Sequence, residues 1–275
     1  MTQIALLPDR GVIELAGEDR VPFLQGLVSN DVAQAAPGRA VWTALLTPQG
    51  KWLADFFIFS DGERLLLDVE RAQTEMLVQR LGRFRLRSKI TLTDQSAAWG
   101  VYAAWDGPPQ IPGGVILAPD PRLPEAGWRV LSPHALEATA HAEAWDAHRL
   151  ALGLPDGSRD LEAEKSVLLE AGFDELNGVS WTKGCYMGQE LTARTKYRGL
   201  VKRRLVPVAI DGPLPAPGTP VMRGTAEAGT MRSGRGDVGI AQLRLDALGD
   251  AGLRCGEALL RPRVPAWMVL PEPAA

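Results

Sequence analysis

The pattern of apolar and polar positions predicts a β-rich N-terminal region. Four apolar runs there have the length of strands and are bounded by turn residues. These runs are residues 11–16, 40–46, 51–59 and 64–69. Pro48 and Gly50 in one link, and Asp61 followed by Gly62 in the next, are turn signals, so the last three runs predict an antiparallel meander. Between the first two runs, an apolar face at helical spacing predicts a helix over residues 21–28.

The middle of the chain combines strand-like runs with two longer helical patterns. The first helical pattern, residues 75–86, carries apolar residues on one face with arginines between and just after them. These arginines are Arg80, Arg83, Arg85 and Arg87. They form either a solvated basic face or a surface that meets an anion, and the pattern leaves both readings open. Strand-like runs follow at residues 90–93, 99–105, 114–117 and 128–131.

A second helix is predicted over residues 132–150, with a start at Ser132 and Pro133 and a stop at Gly153 and Pro155. It would hold every histidine of the chain. These are His134, His141 and His148. Two helical turns would separate neighbouring histidines by roughly 10 Å, which is too far for two ligands of one metal ion. We therefore expect the histidines to be surface or interface residues.

The C-terminal part changes to short strand-like runs between Gly and Pro turns, which is typical of a small β-barrel. These runs are residues 206–210, 220–222, 225–231, 238–241 and 258–260. Residues 232–236, RSGRG, lack the spacing of a phosphate-binding loop and predict a turn. A boundary in the basic stretch 199–204 divides the chain into a region of residues 1–202 and a barrel domain of residues 203–275.

Composition narrows the class of protein. Hydrophobic residues make up 45% of the chain and charged residues 23%, as in an ordinary soluble globular protein. A net charge of −3 gives no bulk attraction to nucleic acid or to a membrane surface, so neither is expected as a partner. The start of the chain lacks the basic and uninterrupted apolar pattern of a secretory signal. With only two cysteines, we expect a reducing cytoplasm as the location.

The candidate chemistry concentrates in residues 181–199, WTKGCYMGQELTARTKYRG. Cys185 stands there between two glycines that predict a tight turn. These are Gly184 and Gly188. Residues 189–197 have helix propensity, with Glu190 early and basic residues late. Cys185 should then lie at a strand-to-helix turn, where helix amides and the ammonium of Lys183 favour the reactive thiolate. The alternative is a small apolar residue that fills a turn.

Two cysteines limit the metal chemistry that the chain could carry alone. Cys255 stands in a strand-like barrel segment and is expected to be buried and inert. Iron–sulfur clusters usually take four cysteine ligands, so we expect no stably bound metal in the isolated chain. If Cys185 binds metal, another protein must supply most of the remaining ligands.

The motif around Cys185 resembles a known family signature. It reads Lys-Gly-Cys-Tyr-Met-Gly-Gln-Glu and is followed by Thr-Ala-Arg. Its residues include Lys183, Gly184, Cys185, Tyr186, Gly188, Gln189, Glu190 and Arg194. The motif is similar to that of the YgfZ-type folate-binding proteins, which belong to the superfamily of the glycine-cleavage T-protein, an aminomethyltransferase. Further matching stretches are residues 23–26, 30–31, 48–51, 149–155 and 177–180.

The resemblance implies a fold, a cofactor and a partner. The fold is α+β, a T-protein-like ring of α+β subdomains, with two interleaved ones in residues 1–202, followed by the C-terminal barrel. Tetrahydrofolate would bind in a central channel. The chain would act with an iron–sulfur carrier or client protein in cluster assembly or repair, with Cys185 as the functional thiol or a shared ligand. We expect a monomer without independent turnover.

The resemblance also suggests residues that contact folate. A carboxylate can accept two hydrogen bonds from the amidine-like edge of a pterin, and three glutamates lie where the superfamily places such a residue. They are Glu162, Glu164 and Glu170. The anionic glutamate tail of folate could meet Arg194, Lys202 or the arginines that begin at Arg80.

Two departures from the related patterns matter. Related proteins often have Pro-x-Glu-x-Asn where this chain has LLEAG at residues 168–172, so only the glutamate is kept. The T-protein has an Asp-Asp pair where this chain has Ala54 and Asp55, and it lacks the Cys185 signature. A folate-dependent one-carbon transferase of the T-protein type is therefore the alternative function, and these differences disfavour it.

Overall fold

The computed structural model describes residues 1–270, which form two compact units that are interleaved along the chain. The first unit comprises Met1–Pro48, Leu53–Trp145 and Asn177–Gln189. The second comprises Gln49–Trp52, Asp146–Leu176 and the chain from Glu190 onward. Within the described residues, no helix combines the length and the apolar character needed to cross a membrane.

Strands of the first unit build two sheets. They are β1 (Gln3–Leu6), β2 (Arg10–Ala16), β3 (Val41–Leu46), β4 (Trp52–Ser60), β5 (Leu65–Glu70), β6 (Thr91–Asp94), β7 (Gly100–Trp105), β8 (Ile116–Pro119) and β9 (Trp128–Ser132). The larger sheet has the order β3-β4-β5-β2-β6, which confirms the predicted meander as β3 to β5. Ile58 on β4 and Ile13 on β2 both lie opposite Leu67 on β5, so this sheet supplies much of the unit's apolar core.

The smaller sheet has the order β1-β7-β9-β8 with antiparallel neighbours. The sequence pattern did not predict β1, because it has only four residues and Leu6 is 43% exposed. Pairing positions it instead, since Ala5 lies opposite Ala103 of β7. A buried ion network joins the two sheets, because Asp68 on β5 accepts hydrogen bonds from Arg10 at 2.6 Å and from Arg129 of β9 at 3.1 Å.

Helices lie between strands along the chain. The α-helices are α1 (Arg20–Gln25), α2 (Thr74–Gly82), α3 (Ala142–Leu152) and α4 (Gln189–Tyr197). Short 3₁₀ turns are Val32–Gln34, Arg71–Gln73, Pro124–Ala126, Gly157–Arg159, Leu168–Ala171 and Leu245–Ala247. The helices predicted over residues 21–28 and 75–86 are present as α1 and α2, and both end several residues earlier than predicted.

The helix predicted over residues 132–150 is wrong in its first part. Ser132 ends β9, and α3 begins only at Ala142, so His134 and His141 lie outside the helix and are exposed. The segment between β9 and α3 is held out of a helix by hydrogen bonds to a distant strand. The backbone N–H groups of residues 139 and 140 donate to the carbonyl of Ile4 at 2.9 and 3.0 Å. Tertiary pairing thus overrides the local helix signal.

The second unit ends in a closed six-stranded barrel. Its strands are β10 (Arg203–Asp211), β11 (Pro220–Arg223), β12 (Ala226–Arg235), β13 (Val238–Arg244), β14 (Leu253–Cys255) and β15 (Ala258–Pro262). They close in the order β10-β13-β12-β11-β14-β15, which confirms the predicted barrel. Val206, Val208 and Ile210 alternate along β10 and point into the barrel core. Cys255 is 1% exposed in the same core, as predicted.

The turn predicted at residues 232–236 is wrong, because β12 continues to Arg235. Its register shifts between Met231 and Gly234, as at a β-bulge. Ser233 in this bulge is 4% exposed, and its hydroxyl donates to Asp160 at 2.5 Å. Arg149 also contacts both groups, at 2.8 Å to the Ser233 hydroxyl and 2.5 Å to Asp160. Ser233, which looks like a turn former in the sequence, therefore attaches β12 to Asp160 and Arg149.

Candidate functional site

Cys185 lies on an irregular loop of the first unit, immediately before α4. The predicted helix over residues 189–197 is confirmed as α4, but no strand precedes the loop, so the predicted strand-to-helix turn is wrong on its strand side. Gly188 has a φ of 81°, which favours glycine, whereas Gly184 does not have a positive φ. The Cys185 side chain is exposed. An exposed thiol at this place is available to a reagent or to a partner protein.

Lys183 anchors the start of this loop. Its Nζ atom donates hydrogen bonds to the backbone carbonyls of Gln25 at 2.7 Å, Val28 at 2.8 Å and Asn30 at 2.7 Å. These carbonyls lie at and just after the end of α1, where helix carbonyls lack partners within the helix and a positive charge is favourable. Burial lowers the pKa of Lys183 to about 8, and the nearby charge of Asp31 opposes this shift.

Further backbone contacts fix the chain on both sides of the thiol. The N–H of Met187 donates to the carbonyl of Gly26 at 3.1 Å, and the Met187 side chain packs against the core of the first unit. Before the loop, the Ser29 hydroxyl donates to the carbonyl of Gly178 at 2.7 Å. Tyr186, the residue after Cys185, is buried, so the chain is fixed directly beside the thiol. The exposed thiol is therefore presented on a short, well-fixed loop.

The remaining motif residues lie around the start of α4. The Gln189 side-chain oxygen accepts a hydrogen bond from the Tyr186 N–H at 3.1 Å and so stabilises the turn before the helix. Glu190 is exposed in the first turn of α4, and Arg194 is exposed further along it. Glu190 and Arg194 have no ion-pair partner within residues 1–270.

The three candidate glutamates all belong to the second unit, but their settings differ. Glu162 is engaged, because hydrogen bonds from Lys165 and then Arg232 lower its pKa. Glu164 is exposed, with a φ of 64°. Glu170 is half-buried on the Leu168–Ala171 turn. The structure thus separates one paired, one solvated and one partly desolvated carboxylate.

Glu170 combines partial burial with hydrogen bonds from backbone and amide donors. Burial raises its pKa, while the charge of Arg203 and the backbone N–H groups of Lys202 and Arg203 oppose the rise. The Gln242 side-chain amide donates to it at 3.3 Å. Two of the predicted folate contacts, Glu170 and Lys202, therefore lie close together. The contact is made by the Lys202 backbone N–H, and the Lys202 side chain is exposed to solvent. A carboxylate in this setting would gain stability from an additional donor group.

The first unit also contains a cleft that the sequence did not predict. Its volume is about 550 Å³, and its walls include Trp42, Trp181, Asn30 and Asn177. Asn30 donates to the carbonyls of Trp42 at 2.8 Å and Asn177 at 2.6 Å, so the wall is held by internal hydrogen bonds. The signal in the sequence was the Asn177-Gly178 pair, a turn former just before the motif, and Asn177 has a φ of 57°.

Asp55, the acid kept at the position of the T-protein pair, is buried. It is 4% exposed and accepts a hydrogen bond from the indole nitrogen of Trp42 at 3.0 Å, and its neighbour Ala54 is fully buried. Elsewhere in residues 1–270, no three His, Cys, Asp or Glu side chains come together as a set of metal ligands.

The arrangement of elements matches a known fold. A crystal structure of the glycine cleavage system aminomethyltransferase T from Bartonella henselae superimposes with a TM-score of 0.75, over 98% of this chain and 86% of that one. At 13% identity this likeness shows the fold alone. The predicted fold class, a T-protein-like α+β chain with a small C-terminal barrel, is confirmed. A family model for the C-terminal beta-barrel domain of CAF17 matches residues 202–270.

Sequence comparison defines the family. The human protein named iron-sulfur cluster assembly factor IBA57, mitochondrial, is 32% identical over 95% of this chain and 84% of its own length. The mouse protein of that name has the same values. The homologue from Mycosarcoma maydis is 38% identical, over 75% of this chain and 57% of its own length. The chain belongs to the IBA57 family, which confirms the YgfZ-type resemblance at the family level.

The prediction of a cytoplasmic location is wrong on this comparison. The human, mouse and Mycosarcoma maydis relatives are all named as mitochondrial proteins. Cysteine content was the basis of the prediction, and it reports only a reducing environment, which does not separate one reducing compartment from another.

Proposed function

We propose that this chain is a tetrahydrofolate-binding accessory factor that assists the assembly or repair of iron–sulfur clusters in client proteins. Cys185 is its functional thiol. The observation that carries the proposal is the exposed Cys185 side chain on a loop fixed by Lys183 and Met187. The names of the curated relatives, iron–sulfur cluster assembly factors, support the same role.

The proposed role of Cys185 is to share an iron–sulfur cluster with another protein. The cluster is the cargo, and it usually takes four cysteine ligands. The second thiol, Cys255, is buried in the barrel and its pKa is raised by burial, so it is a poor donor. This chain would then contribute one ligand, and an iron–sulfur carrier or client would contribute the others.

The proposed folate site centres on Glu170. Its partly desolvated carboxylate fits the amidine-like edge of a pterin, which would add two donor groups to those that Glu170 already has. Lys202 or Arg194, both exposed, would meet the anionic glutamate tail. Bound tetrahydrofolate would supply a reduced pterin whose nitrogens can carry one-carbon units. The alternative transferase function gains no support, because Asp55 is buried against Trp42 and has no acidic neighbour at Ala54.

Replacement of the thiol tests the cluster role. An apo-client iron–sulfur enzyme is incubated with iron, sulfide, a reductant and either the wild-type chain or the Cys185→Ser variant, and client activity is measured. We expect Cys185→Ser to abolish activation, with tetrahydrofolate binding unchanged in calorimetry. Cys255→Ala is the matched control and should activate like the wild type. Full activation by Cys185→Ser would rule out the thiol role.

A separate calorimetric titration tests the folate role. Tetrahydrofolate is titrated into the wild type, Glu170→Gln and Glu164→Gln. Loss of a charge-assisted acceptor should weaken binding on the order of tenfold or more in Glu170→Gln, and Glu164→Gln should bind like the wild type. No heat with the wild-type chain would exclude folate binding and would leave the thiol role standing. Equal affinity of the three proteins for tetrahydrofolate would show that Glu170 does not bind the pterin.

A further inference from the structure

A run of arginines at the end of α2 is left without acidic partners. Arg83, Arg85 and Arg87 are exposed, and Arg80, one turn earlier, is half-buried. Within residues 1–270, none of these four guanidinium groups lies within ion-pair distance of a carboxylate. The chain as a whole carries a net charge of −3, so this is a local concentration of uncompensated positive charge.

The same run exposes apolar side chains. Leu86 is 91% exposed and has a φ of 43°, a conformation that leucine rarely adopts. Phe84 beside it is 38% exposed. Neither residue belongs to the core of the first unit. The N–H of Ser88 donates to the carbonyl of Arg85 at 2.8 Å, so Leu86 stands in a closed turn that presents its side chain to solvent between two arginines.

Leu86 and Arg87 also form one side of a shallow groove against α1. The groove has a volume of about 830 Å³, and Pro22 and Phe23 of α1 form its other side. The helix α1 is only six residues long, about 9 Å at 1.5 Å per residue. Its far end holds the Cys185 loop, through the carbonyls of Gln25 and Gly26. The groove and the thiol loop are therefore attached to opposite ends of one short helix.

The geometry points to this surface as the docking site for the iron–sulfur protein that completes the Cys185 site. We call it the arginine groove. It comprises the groove itself, lined by Asp19, Pro22, Phe23, Leu86, Arg87 and Ser88, and the exposed arginines Arg83 and Arg85 that precede Leu86 in the chain. Complementarity defines the occupant: an acidic segment of that protein, with an apolar side chain that inserts beside Leu86. The assignment rests on the proposed function of Cys185, and it names the part of the molecule that selects the partner.

A protein segment fits the arginine groove better than an anionic membrane does. The groove is concave, so a protruding side chain of a folded protein can enter it, whereas the flat surface of a membrane cannot. A segment of a folded partner can instead place its carboxylates against the arginines and its apolar side chain in the groove.

Charge reversal tests the assignment. The probe is the purified client of the activation assay, titrated into the wild-type chain, Cys185→Ser, and the triple variant Arg83→Glu, Arg85→Glu, Arg87→Glu. The matched control reverses three exposed barrel arginines, Arg254→Glu, Arg261→Glu and Arg263→Glu. We expect the groove variant to bind on the order of tenfold more weakly or worse, with a reduced salt dependence. The barrel variant should retain binding, and Cys185→Ser should do so only with the cluster-free client, to which Cys185 supplies no ligand.

The outcomes separate the two proposals. Activation that needs Cys185 but is unaffected by the groove variant would overturn the arginine groove and leave the thiol role. Client binding that is lost equally in both triple variants would show a general charge effect and overturn it as well. Binding of the wild type, but not the groove variant, to vesicles of 70% neutral and 30% anionic phospholipid would assign the surface to lipid and refute the protein partner.

A single substitution separates docking from folding. Asparagine tolerates the backbone conformation of Leu86 better than leucine does, so Leu86→Asn should melt at the same temperature as the wild type or higher. It should bind the client on the order of tenfold more weakly, because the apolar contact is gone. Leu86→Asn with unchanged client affinity would remove Leu86 from the interface.

Discussion

The Nζ atom of Lys183 donates a hydrogen bond to the carbonyl oxygen of Val28 at 2.8 Å, and this contact ties the thiol loop to the end of α1. The other two hydrogens of the ammonium go to the carbonyls of Gln25 and Asn30. Lys183 therefore uses its three donors on the backbone and has an anchoring role in the structure. Its participation in the chemistry of Cys185 stays a prediction.

Replacement of Lys183 by Met should destabilise the first unit. Methionine keeps an unbranched apolar stem, but it leaves three backbone carbonyls without their charged donor, which should cost on the order of 2–3 kcal/mol. Urea unfolding measures this difference. The control is Lys202→Met, because Lys202 is exposed and should change stability by less than about 0.5 kcal/mol. Equal unfolding midpoints for Lys183→Met and the wild type would show that the anchor contributes nothing.

The anchor illustrates what the sequence could not predict. The helix α4 was predicted over its full length, because its signals are local. The partners of Lys183 lie 153 to 158 residues earlier, and no spacing rule connects a lysine to carbonyls so distant. The helix prediction for residues 133–141 was wrong for a similar reason. Backbone N–H groups of this segment donate to the carbonyl of Ile4, which lies 135 residues before Thr139.

The motif and the barrel were predictable because each is specified by residues that are close together in the sequence. Cys185 with its flanking glycines identified the thiol, and the alternating pattern of β10 identified the barrel wall. Ser233 was not predictable in its role, since a serine between glycine and arginine residues looks like a turn until Asp160 is placed beside it.

The two thiols should differ strongly in reactivity. Cys185 is exposed, whereas Cys255 is 1% exposed and burial raises its pKa, so an alkylating reagent at neutral pH should modify Cys185 first. Cys255 should react on the order of a hundredfold more slowly or worse, because the barrel must open first. Mass spectrometry after timed labelling measures both rates. Rapid modification of native Cys185→Ser would contradict the burial of Cys255, and both proteins should label at Cys255 in urea.

Stability in acid should depend on Asp146, which lies in the second unit. Asp146 is 5% exposed and accepts hydrogen bonds from Arg149 at 2.9 Å, Arg159 at 2.8 Å and Arg235 at 2.9 Å. Burial alone would raise its pKa, but hydrogen bonds from Arg159 and Arg235 and the charges of Arg149 and Arg159 hold the pKa well below its usual value of 3.8. The ionised carboxylate is thus stabilised by folding.

Because the folded pKa of Asp146 is depressed, its contribution to stability is complete above the unfolded value of 3.8 and is lost as the pH falls below it. Asp146→Asn should therefore be less stable than the wild type by about 2–4 kcal/mol at pH 7, since it leaves the buried Arg149 short of a counter-charge. The difference should shrink as the pH falls from 5 towards 2, as measured by urea unfolding at each pH. Asp246→Asn is the control, because Asp246 is an exposed partner of Arg223 and Arg244 and should have little effect at any pH. A difference for Asp146→Asn that stays constant from pH 7 to pH 2 would mean that the carboxylate titrates alike in the folded and unfolded chain, and the arginine network would then have no electrostatic role.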